Sequence, residues 1–368
     1  MKVLHVISGG ETGGSRKHVI TLLQQYSREE VCLVLFQDGP FAQEAIEKGL
    51  RVEIIKQSSR YDISILKRLR MFIDSEGFNI IHSHGPRANL FISFIKKKMD
   101  AVWVTTVHSD PKLDFMKGGI KGKLFTSLNL WALKQIDYYF AVTDLFKRNL
   151  IHLGIPEKKI FTIYNGIEFI EPIAGDGALQ KELGLSADDF IMTMVARLHP
   201  IKGHSIVFKA LKELDNEHIH LVLVGDGPIA ADLKEEVQKL GLVKQVHFLG
   251  FRKDIDQIYS NSNIALLASY SESFPLALLE GANQKRSLIS TNVGGVKQLI
   301  PSEEYGWIVP IDDAQAYQKA IEQAYESFEN HSLEEKGEKL YEFARDHFSL
   351  KHLADKVKDD YDQILNQR

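Results

Sequence analysis

The stretch Ser269–Gly295, SYSESFPLALLEGANQKRSLISTNVGG, carries most of what the sequence says about the fold. It follows the apolar run Ile264–Ala268, which is typical of a buried strand, and Pro275 predicts the first turn of a helix. Glu272 then lies in the loop before the helix, and Glu280 lies within it. A loop carboxylate beside the N–H groups and positive dipole end of a helix favours a ligand with hydroxyl groups and phosphate. Taken alone, the two glutamates fit solvated surface residues equally well.

Strand-like apolar segments alternate with helix-like segments along the whole chain. Those of the first half are KVLHVIS, VCLVLF, RVEII, FNIIH, AVWVTTV, DYYFAVT and KIFTIY, and those of the second are FIMTMVA, IHLVLV, QVHFL, NIALLA, SLIST and GWIVP. Continuous apolar strands between helices predict parallel sheets covered on both faces, and there are too many strands for one sheet. Periodicity is lost between Gly166 and Ala187, so we divide the chain there. The prediction is an α/β fold with two doubly wound, Rossmann-like domains facing a cleft.

Composition excludes several classes of protein. With 368 residues, 44% hydrophobic and 26% charged, the chain suits two soluble globular domains, and no apolar run approaches the length of a signal peptide or a membrane span. The single cysteine, Cys32, excludes a disulfide within the chain, so we expect a cytoplasmic protein. Up to Ile173 there are 24 Lys and Arg against 18 Asp and Glu, and after it 21 against 31. This basic first half suits an anionic partner such as acidic lipid, polyanion or phosphate, or merely reflects an uneven surface.

Two glycine-rich turns follow strands and are candidate phosphate sites. In SGGETGGSRKHV, Gly14 and its neighbours precede a helix, but their spacing fits neither the dinucleotide fingerprint nor the P-loop. Gly225 opens GDGPIA and comes closer to the fingerprint. Because the next strand ends in HFLG rather than in an acidic residue, NAD is excluded, although a nucleotide can still lie across this loop.

Two pairs of charged residues suggest different sites. Arg197 and Lys202, in VARLHPIKGH, suit a diphosphate, with surface cations as the alternative. Asp254 and Asp256 form an Asp-x-Asp motif of the kind that holds a metal in some sugar transferases. They also stand at the start of a predicted helix, where acidic residues are favourable, so no metal site is predicted.

Histidines stand at the ends of two predicted strands. His108 follows AVWVTTV, while His82 and His84 end the segment FNIIHSH. Histidines at such positions are often structural, and His108 fits a structural and a functional role equally well.

These motifs, in this order and spacing, resemble the retaining glycosyltransferases of family four, whose two-domain fold is called GT-B. The resemblance extends over essentially the whole chain, from the glycine-rich turn and TVH through YNGIE, VARLHPIKGH, LVGDGP and FLGFRKDI to SESFPLALLEGA and TNVGG. It implies transfer of a sugar from a nucleotide-diphospho-sugar, a UDP-sugar, to an acceptor hydroxyl with retention, in cell-envelope glycolipid or polysaccharide synthesis. It further implies an acceptor-binding domain over residues 1–165, a nucleotide-sugar-binding domain over 166–347, and a C-terminal helix at 348–368 that returns to the first domain.

The same resemblance implies a role for each candidate residue. Arg197 and Lys202 hold the donor diphosphate, Glu280 the ribose and Glu272 the hydroxyls of the donor sugar. The remaining implied contacts are His108 at the transferred sugar, Gly14 at the phosphates, the backbone of Ser273, Phe274, Pro275 and Leu276 at the sugar and phosphates, and Gly225, Phe251 and Arg252 near the nucleoside. Arg197, Lys202, Glu272 and His108 are then the catalytic residues, and neither a metal nor another cofactor is required.

The chain departs from the family pattern at three places, which leave the donor sugar unspecified. GANQKRS follows Glu280 in place of small residues and a Gly-Lys-Pro turn, Gln298 stands where glutamate is usual, and Tyr164 stands where proline is usual. Two other functions fit the same fold: a nucleotide-sugar 2-epimerase, and a catalytically silent nucleotide-sugar-binding protein. A 2-epimerase would need distinct acid and base carboxylates, for which this sequence offers no candidates. The intact set of Arg197, Lys202, Glu272 and Glu280 argues against a catalytically silent protein.

The segment Pro111–Gln135 is rich in both basic and apolar residues. Its lysines are Lys112, Lys117, Lys121, Lys123 and Lys134. We expect a basic loop that leads into an amphipathic helix, with an anionic membrane surface and a lipid-linked or polymer acceptor as partners. The alternative, that the apolar residues pack on the sheet and the lysines are solvated, is equally consistent with the sequence.

Overall fold

The computed structural model describes residues 1–11, 14–58, 62–109 and 119–367. It comprises two compact units: Met1–Asn165 with Leu350–Arg368 form the first, and Gly166–Ser349 form the second. Lys112 and Lys117 lie outside the described residues, and so does the side chain of Lys121.

Each unit contains one sheet, and all thirteen predicted strands are present. The strands are β1 (Val3–Ile7), β2 (Val31–Leu35), β3 (Val52–Ile54), β4 (Ile80–His84), β5 (Val102–Val107), β6 (Tyr138–Ala141), β7 (Ile160–Thr162), β8 (Phe190–Val195), β9 (Ile219–Val224), β10 (Val246–Gly250), β11 (Ile264–Leu267), β12 (Ser287–Thr291) and β13 (Gly306–Val309). The sheet orders are β3-β2-β1-β4-β5-β6-β7 and β10-β9-β8-β11-β12-β13, and the paired strands are parallel. The predicted α/β fold of two Rossmann-like units is confirmed.

Helices connect the strands as parallel pairing requires. The α-helices are α1 (Gly14–Leu23), α2 (Pro40–Glu47), α3 (Ser64–Glu76), α4 (Pro86–Ile95), α5 (Gly119–Leu133), α6 (Asp144–His152), α7 (Ala178–Leu183), α8 (His204–Leu214), α9 (Ala230–Leu240), α10 (Ile255–Ser260), α11 (Leu276–Asn283), α12 (Val296–Leu299), α13 (Ala314–Glu329), α14 (Leu333–Phe348) and α15 (Leu350–Asn366). The last of these packs within the first unit, where the Tyr26 hydroxyl on the turn after α1 donates to the Ala354 carbonyl at 2.8 Å.

Each sheet has a point at which the strand order reverses. In the first unit β1 lies between β2 and β4, and in the second β8 lies between β9 and β11. Successive helices leave to opposite faces at such a point and open a crevice at the carboxyl ends of the two central strands, where ligands of doubly wound folds bind. A ligand is therefore expected at the loops that follow β8 and β11 in the second unit and at those that follow β1 and β4 in the first.

The helix α5 differs from the predicted amphipathic helix. Ala132 and Leu133 are buried, but Leu124 and Trp131 are 60% and 47% exposed. Its apolar residues are divided between an inner face and an outer face, so it does not have one apolar side and one polar side.

Candidate active site

In the second unit, the loops after β8 and β11 meet through a lysine and a glutamate. Lys202 ends a short 3-10 turn, and its Nζ pairs with Oε1 of Glu272. The hydroxyl of Ser269 donates to the same oxygen at 2.7 Å, and the Tyr270 amide donates to the Ile201 carbonyl at 2.8 Å. Two residues that the sequence assigns to different parts of one ligand are thus in direct contact. Ser269, whose hydroxyl positions the carboxylate, was not predicted, although it stands only three positions before Glu272.

The close approach of these two loops depends on glycine. Gly203 has a φ of 66°, and a Cβ at this position would lie 2.1 Å from the Ala268 carbonyl oxygen. Gly225 plays the same part for the loop after β9, since its Cβ would lie 2.1 Å from the Ala196 oxygen, next to Arg197. The loop after β10 joins them, because the Gly225 amide donates to the Gly250 carbonyl at 2.8 Å. The loops after β8, β9 and β11 are therefore brought together at the ends of their strands, and the loop after β10 adjoins the loop after β9.

The helix that bears Glu280 begins one residue later than predicted. Pro275 has extended backbone angles (φ −80°, ψ 95°) and precedes α11, so it is the capping position rather than the first helical residue. The neighbouring Phe274 is buried, and its ring centroid lies 5.1 Å from that of Phe348. Ser273 is held by the Gly295 amide, which donates to its carbonyl at 3.0 Å. The start of α11 is thereby fixed beside the Lys202–Glu272 pair.

The other predicted residues of this unit differ in their surroundings. Arg197 is exposed and, among the residues that the structure describes, makes no ion pair. Phe251 is 75% exposed. Arg252 binds both oxygens of Asp254, at 2.8 and 2.5 Å, and Glu182 at 2.9 Å. These hydrogen bonds raise the pKa of Arg252, so the cation predicted to lie near the nucleoside is held by two carboxylates of its own unit.

In the first unit, the glycine-rich turn after β1 binds the carboxylate of one of its own residues, Glu11. The carboxylate of Glu11 accepts from the Ser8 amide at 3.2 Å and from the Gly9 amide at 2.7 Å. Gly14 is the first residue of α1 and is exposed. A turn whose amides already hold a carboxylate has the geometry of an anion site.

His108 lies after β5 and contacts other histidines. Its Nε2 lies 3.3 Å from Nδ1 of His84, and its ring centroid lies 5.0 Å from that of His18. Burial lowers the pKa of His108 well below its usual value and that of His18 to about 4, so both rings are neutral at physiological pH. His18 and His5, which contacts His84 at 3.0 Å, were not singled out from the sequence. His5 pairs in register with His82 across β1 and β4, which only the strand order reveals.

A cavity of about 600 Å³ lies in the first unit, lined by α4, α5 and the residues after β2. Its walls include the rings of Phe91 and Phe125 and the guanidinium of Arg87. Arg87 donates to the Ser8 hydroxyl at 3.1 Å and to the side-chain oxygen of Gln57. This cavity combines apolar walls with one cation, which suits a ligand that has both an apolar and an anionic part.

Structural comparison places the chain in a known class. A structure of HepE from Anabaena in complex with UDP superposes with a TM-score of 0.86 over 99% of this chain and 100% of that one, at 19% identity. The fold is therefore GT-B. The model for glycosyl transferases group 1 matches residues 176–346, and that for glycosyltransferase family 4 matches residues 12–169. The chain belongs to glycosyltransferase family four.

Two curated relatives are similar to this chain over most of its length. The UDP-Gal:alpha-D-GlcNAc-diphosphoundecaprenol alpha-1,3-galactosyltransferase of Escherichia coli is 26% identical over 309 residues, which cover 79% of each chain. The N-acetyl-alpha-D-glucosaminyl L-malate synthase of Bacillus anthracis is 26% identical over 312 residues, covering 76% of this chain and 79% of that one. None of the described helices is both long and apolar enough to cross a bilayer.

Proposed function

We propose that this chain transfers a sugar from a UDP-sugar to an acceptor hydroxyl with retention of the anomeric configuration. The observation that carries the proposal is the contact of Lys202 with Glu272 at the strand-order reversal of the second unit, beside the start of α11. The HepE complex with UDP supports the choice of nucleotide. The family membership supports a transferase over the epimerase and the silent binding protein.

The proposed roles follow from charge. Arg197 and Lys202 stabilise the negative charge that grows on the leaving diphosphate, which is the largest contribution expected in such a reaction. Once the diphosphate binds Lys202, the Glu272 carboxylate is released to accept hydrogen bonds from the sugar hydroxyls. Glu280 binds the ribose in the same way.

The proposed step needs no covalent intermediate on the protein. The bond between the anomeric carbon and the phosphate oxygen breaks as the acceptor oxygen forms a bond to that carbon from the same face. The acceptor proton passes to an oxygen of the leaving phosphate. Two cations and a helix start supply the electrostatic stabilisation, so no metal is required.

The remaining predicted residues have contact roles. The backbone of Ser273–Leu276 binds sugar and phosphate, and Gly225 and Phe251 bind the nucleoside. Arg252 contributes there through the ion pairs that hold its loop. In the first unit, Gly14 contacts phosphate and His108 contacts the transferred sugar.

The proposed acceptor is a lipid-linked sugar at the cytoplasmic membrane face, as in cell-envelope glycolipid or polysaccharide synthesis. The rings of Phe94 on α4 and Trp131 on α5 are 55% and 47% exposed, and their centroids lie 5.9 Å apart. Four exposed lysines lie on or directly after the same two helices: Lys97, Lys98, Lys123 and Lys134. Exposed aromatic rings among lysines suit an interface with anionic lipid. The cavity beside Arg87 offers a place for the acceptor within the same unit.

A transfer assay tests the chemistry. The purified chain is incubated with each of several UDP-sugars and with diphosphoprenol-linked or soluble acceptors, and the products are analysed by mass spectrometry and NMR. We expect UDP release coupled to an acceptor product whose anomeric configuration matches that of the donor. Inversion contradicts the retaining mechanism, and an epimerised sugar without acceptor product indicates the 2-epimerase.

Co-sedimentation with vesicles tests the membrane contact. We expect binding to anionic vesicles at low salt, about 1 kcal/mol weaker for each basic residue lost. The variant with Lys97, Lys98 and Lys123 changed to Glu loses binding, while a control with Lys181, Lys209 and Lys212 of the second unit changed to Glu retains it. Absence of binding at low salt contradicts the membrane proposal and favours a soluble acceptor.

A further inference from the structure

A chain of ring-to-ring contacts begins at His108 and runs into the core of the first unit. Nε2 of His108 lies 3.3 Å from Nδ1 of His84, and Nε2 of His84 lies 3.0 Å from Nδ1 of His5. His84 and His5 are 1% and 0% exposed. Each ring in this series uses a different nitrogen for each neighbour, so the contacts form one continuous path.

The path continues to the C-terminal helix. Nε2 of His5 lies 3.5 Å from the hydroxyl of Tyr361 on α15, and that hydroxyl also contacts Nδ1 of His82. Nε2 of His82 then lies 2.7 Å from the hydroxyl of Thr106. Tyr361, His82 and Thr106 are all buried. Six side chains from β1, β4, β5, α15 and the end of β5 thus form a single file.

Each of the four inner members of this file, His84, His5, Tyr361 and His82, can donate to one neighbour and accept from the other. Burial lowers the pKa of His5 to about 3 and those of His82 and His84 well below the usual value, so the rings are neutral. A neutral imidazole has one N–H donor and one bare nitrogen, and a hydroxyl has one hydrogen. When each inner group donates to one neighbour and accepts from the other, the file has two proton arrangements, one with every hydrogen directed toward His108 and one with every hydrogen directed away.

The two arrangements give His108 different tautomers. If Thr106 donates to His82, every following group donates toward His108, whose Nε2 then accepts while its Nδ1 carries the proton. If the direction is reversed, Nε2 of His108 donates to His84 and its Nδ1 is bare. The groups behind His108 therefore decide whether its outer nitrogen donates or accepts a hydrogen bond.

We propose that Tyr361, His5 and His84 are positioning residues that hold His108 in a single tautomer. The hydroxyl of Tyr361 is the key member because it joins His5 to His82 through hydrogen-bond contacts on both sides. The catalytic consequence rests on the proposed function, in which His108 contacts the transferred sugar. The tautomer of His108 does not depend on the proposed function. With a single tautomer, the outer nitrogen of His108 is always a donor or always an acceptor toward a sugar hydroxyl.

Zinc ligation is the competing explanation of the same cluster. Among the described residues, His5, His82 and His84 have ligand atoms within 4.8 Å of one another. A ligating nitrogen must have its lone pair free for the metal, yet both nitrogens of each of these rings are engaged within the file. The structure therefore favours the hydrogen-bonded file.

Tyr361→Phe removes the central hydroxyl and nothing else. The matched control is Tyr139→Phe, which also removes a buried tyrosine hydroxyl from the first unit, one that donates to the carbonyls of Leu133 and Ile136. Tyr26→Phe is a second control, since it removes a hydrogen bond between the body of this unit and α15 without touching the file.

The decisive readout is ¹⁵N NMR of the histidine rings, with His108 identified by loss of its signals in His108→Gln. We expect one tautomer of His108 in the wild type and in both controls, and a mixture or the opposite tautomer in Tyr361→Phe.

In the transfer assay, Tyr361→Phe lowers kcat about tenfold while the donor KM stays within about twofold. An unchanged His108 tautomer in folded Tyr361→Phe, an equal change in Tyr139→Phe, or stoichiometric zinc in the purified protein would each overturn the proposal. A wild type that transfers no sugar contradicts the proposed function alone, because the tautomer measurement still decides the role of the file.

Discussion

The two units place different kinds of polar group within and after their parallel strands. In the second unit these groups are ions: Lys202 pairs with Glu272, and Arg252 pairs with Asp254. In the first unit they are neutral and buried, with His5 and His84 in hydrogen-bond contact. Paired ions at partly exposed positions can exchange their internal partner for a charged ligand. A buried neutral file has no charge to offer, so it is suited to positioning one side chain.

The largest expected effect is an acid sensitivity that is greater in the first unit than in the second. Burial lowers the pKa of His5 to about 3 and that of His18 to about 4, and lowers those of His82 and His84 as well. Above pH 6.5 these rings are neutral in both the folded and the unfolded state. Below pH 6.5 the unfolded chain binds protons that the folded chain excludes, so the free energy of unfolding falls as the pH falls toward 4. Each ring that stays neutral in the folded unit contributes at most about 1.4 kcal/mol for each pH unit below 6.5, so the four together contribute at most about 5 to 6 kcal/mol per pH unit.

This loss should unfold the first unit near pH 5, since whole domains are stable by only about 5–15 kcal/mol. The other titratable groups that face these rings are His108, which adds to the effect, and Tyr361, which stays neutral. The second unit has one strongly shifted and fully buried histidine, His204, whose pKa burial lowers to about 4, so it should lose less. Hydrogen exchange read by mass spectrometry between pH 7.5 and 4.5 separates the two units. Equal protection of the first unit at pH 5 and pH 7.5 contradicts this prediction.

Removing a cation from the second unit is expected to have the next largest effect. Arg197→Ala or Lys202→Ala should lower kcat by about two to three orders of magnitude, as loss of one charge-stabilising group does. The fold should persist, because both side chains are at least partly exposed. Steady-state kinetics and thermal unfolding measure the two properties separately.

Lys212→Ala is the matched control for these variants, since Lys212 is an exposed lysine of the same unit on α8. It should leave both kcat and Tm unchanged. Near wild-type turnover in either Arg197→Ala or Lys202→Ala, with an unchanged Tm, shows that the diphosphate assignment is wrong.

Substitution of two glycines distinguishes a glycine that the fold requires from a glycine that ligand binding requires. Gly203→Ala places a methyl group 2.1 Å from the Ala268 oxygen at a φ of 66°, so it should cost about 1–3 kcal/mol of stability. Gly14→Ala meets no atom within 4 Å and lies at a helix start, so stability should change by less than about 1 kcal/mol. If the Gly14 backbone binds phosphate, the donor KM should rise about tenfold. An unchanged donor KM in Gly14→Ala removes this residue from the proposed site.

The features that the sequence predicts are those formed by residues close together in the chain. The strands were found because each is an unbroken apolar run, and the residues proposed for the second-unit site were singled out because they fall in a few short motifs. The Lys202–Glu272 contact was not predicted, because the two residues are 70 positions apart and each has a separate role in the family pattern. The file from His108 to Thr106 was missed for the same reason: Tyr361 is 279 positions from His82. Neither pair becomes visible until the strand order and the position of α15 are known.

The smallest expected effect is that of removing divalent metal. Asp254 lies directly before α10, and its carboxylate is held by Arg252, whose hydrogen bonds lower the pKa of that carboxyl. Asp256 accepts from the side-chain nitrogen of Gln284 at 3.0 Å. A metal at this motif would have to displace a guanidinium that Glu182 also holds, and the cation would remain beside it. Excess EDTA should therefore leave the transfer rate within about twofold, whereas loss of a catalytic metal removes several kcal/mol of stabilisation. Inactivation by EDTA that Mg²⁺ or Mn²⁺ reverses, with the Tm unchanged, would mean that a metal bridges the diphosphate and that the cations of the second unit do not suffice.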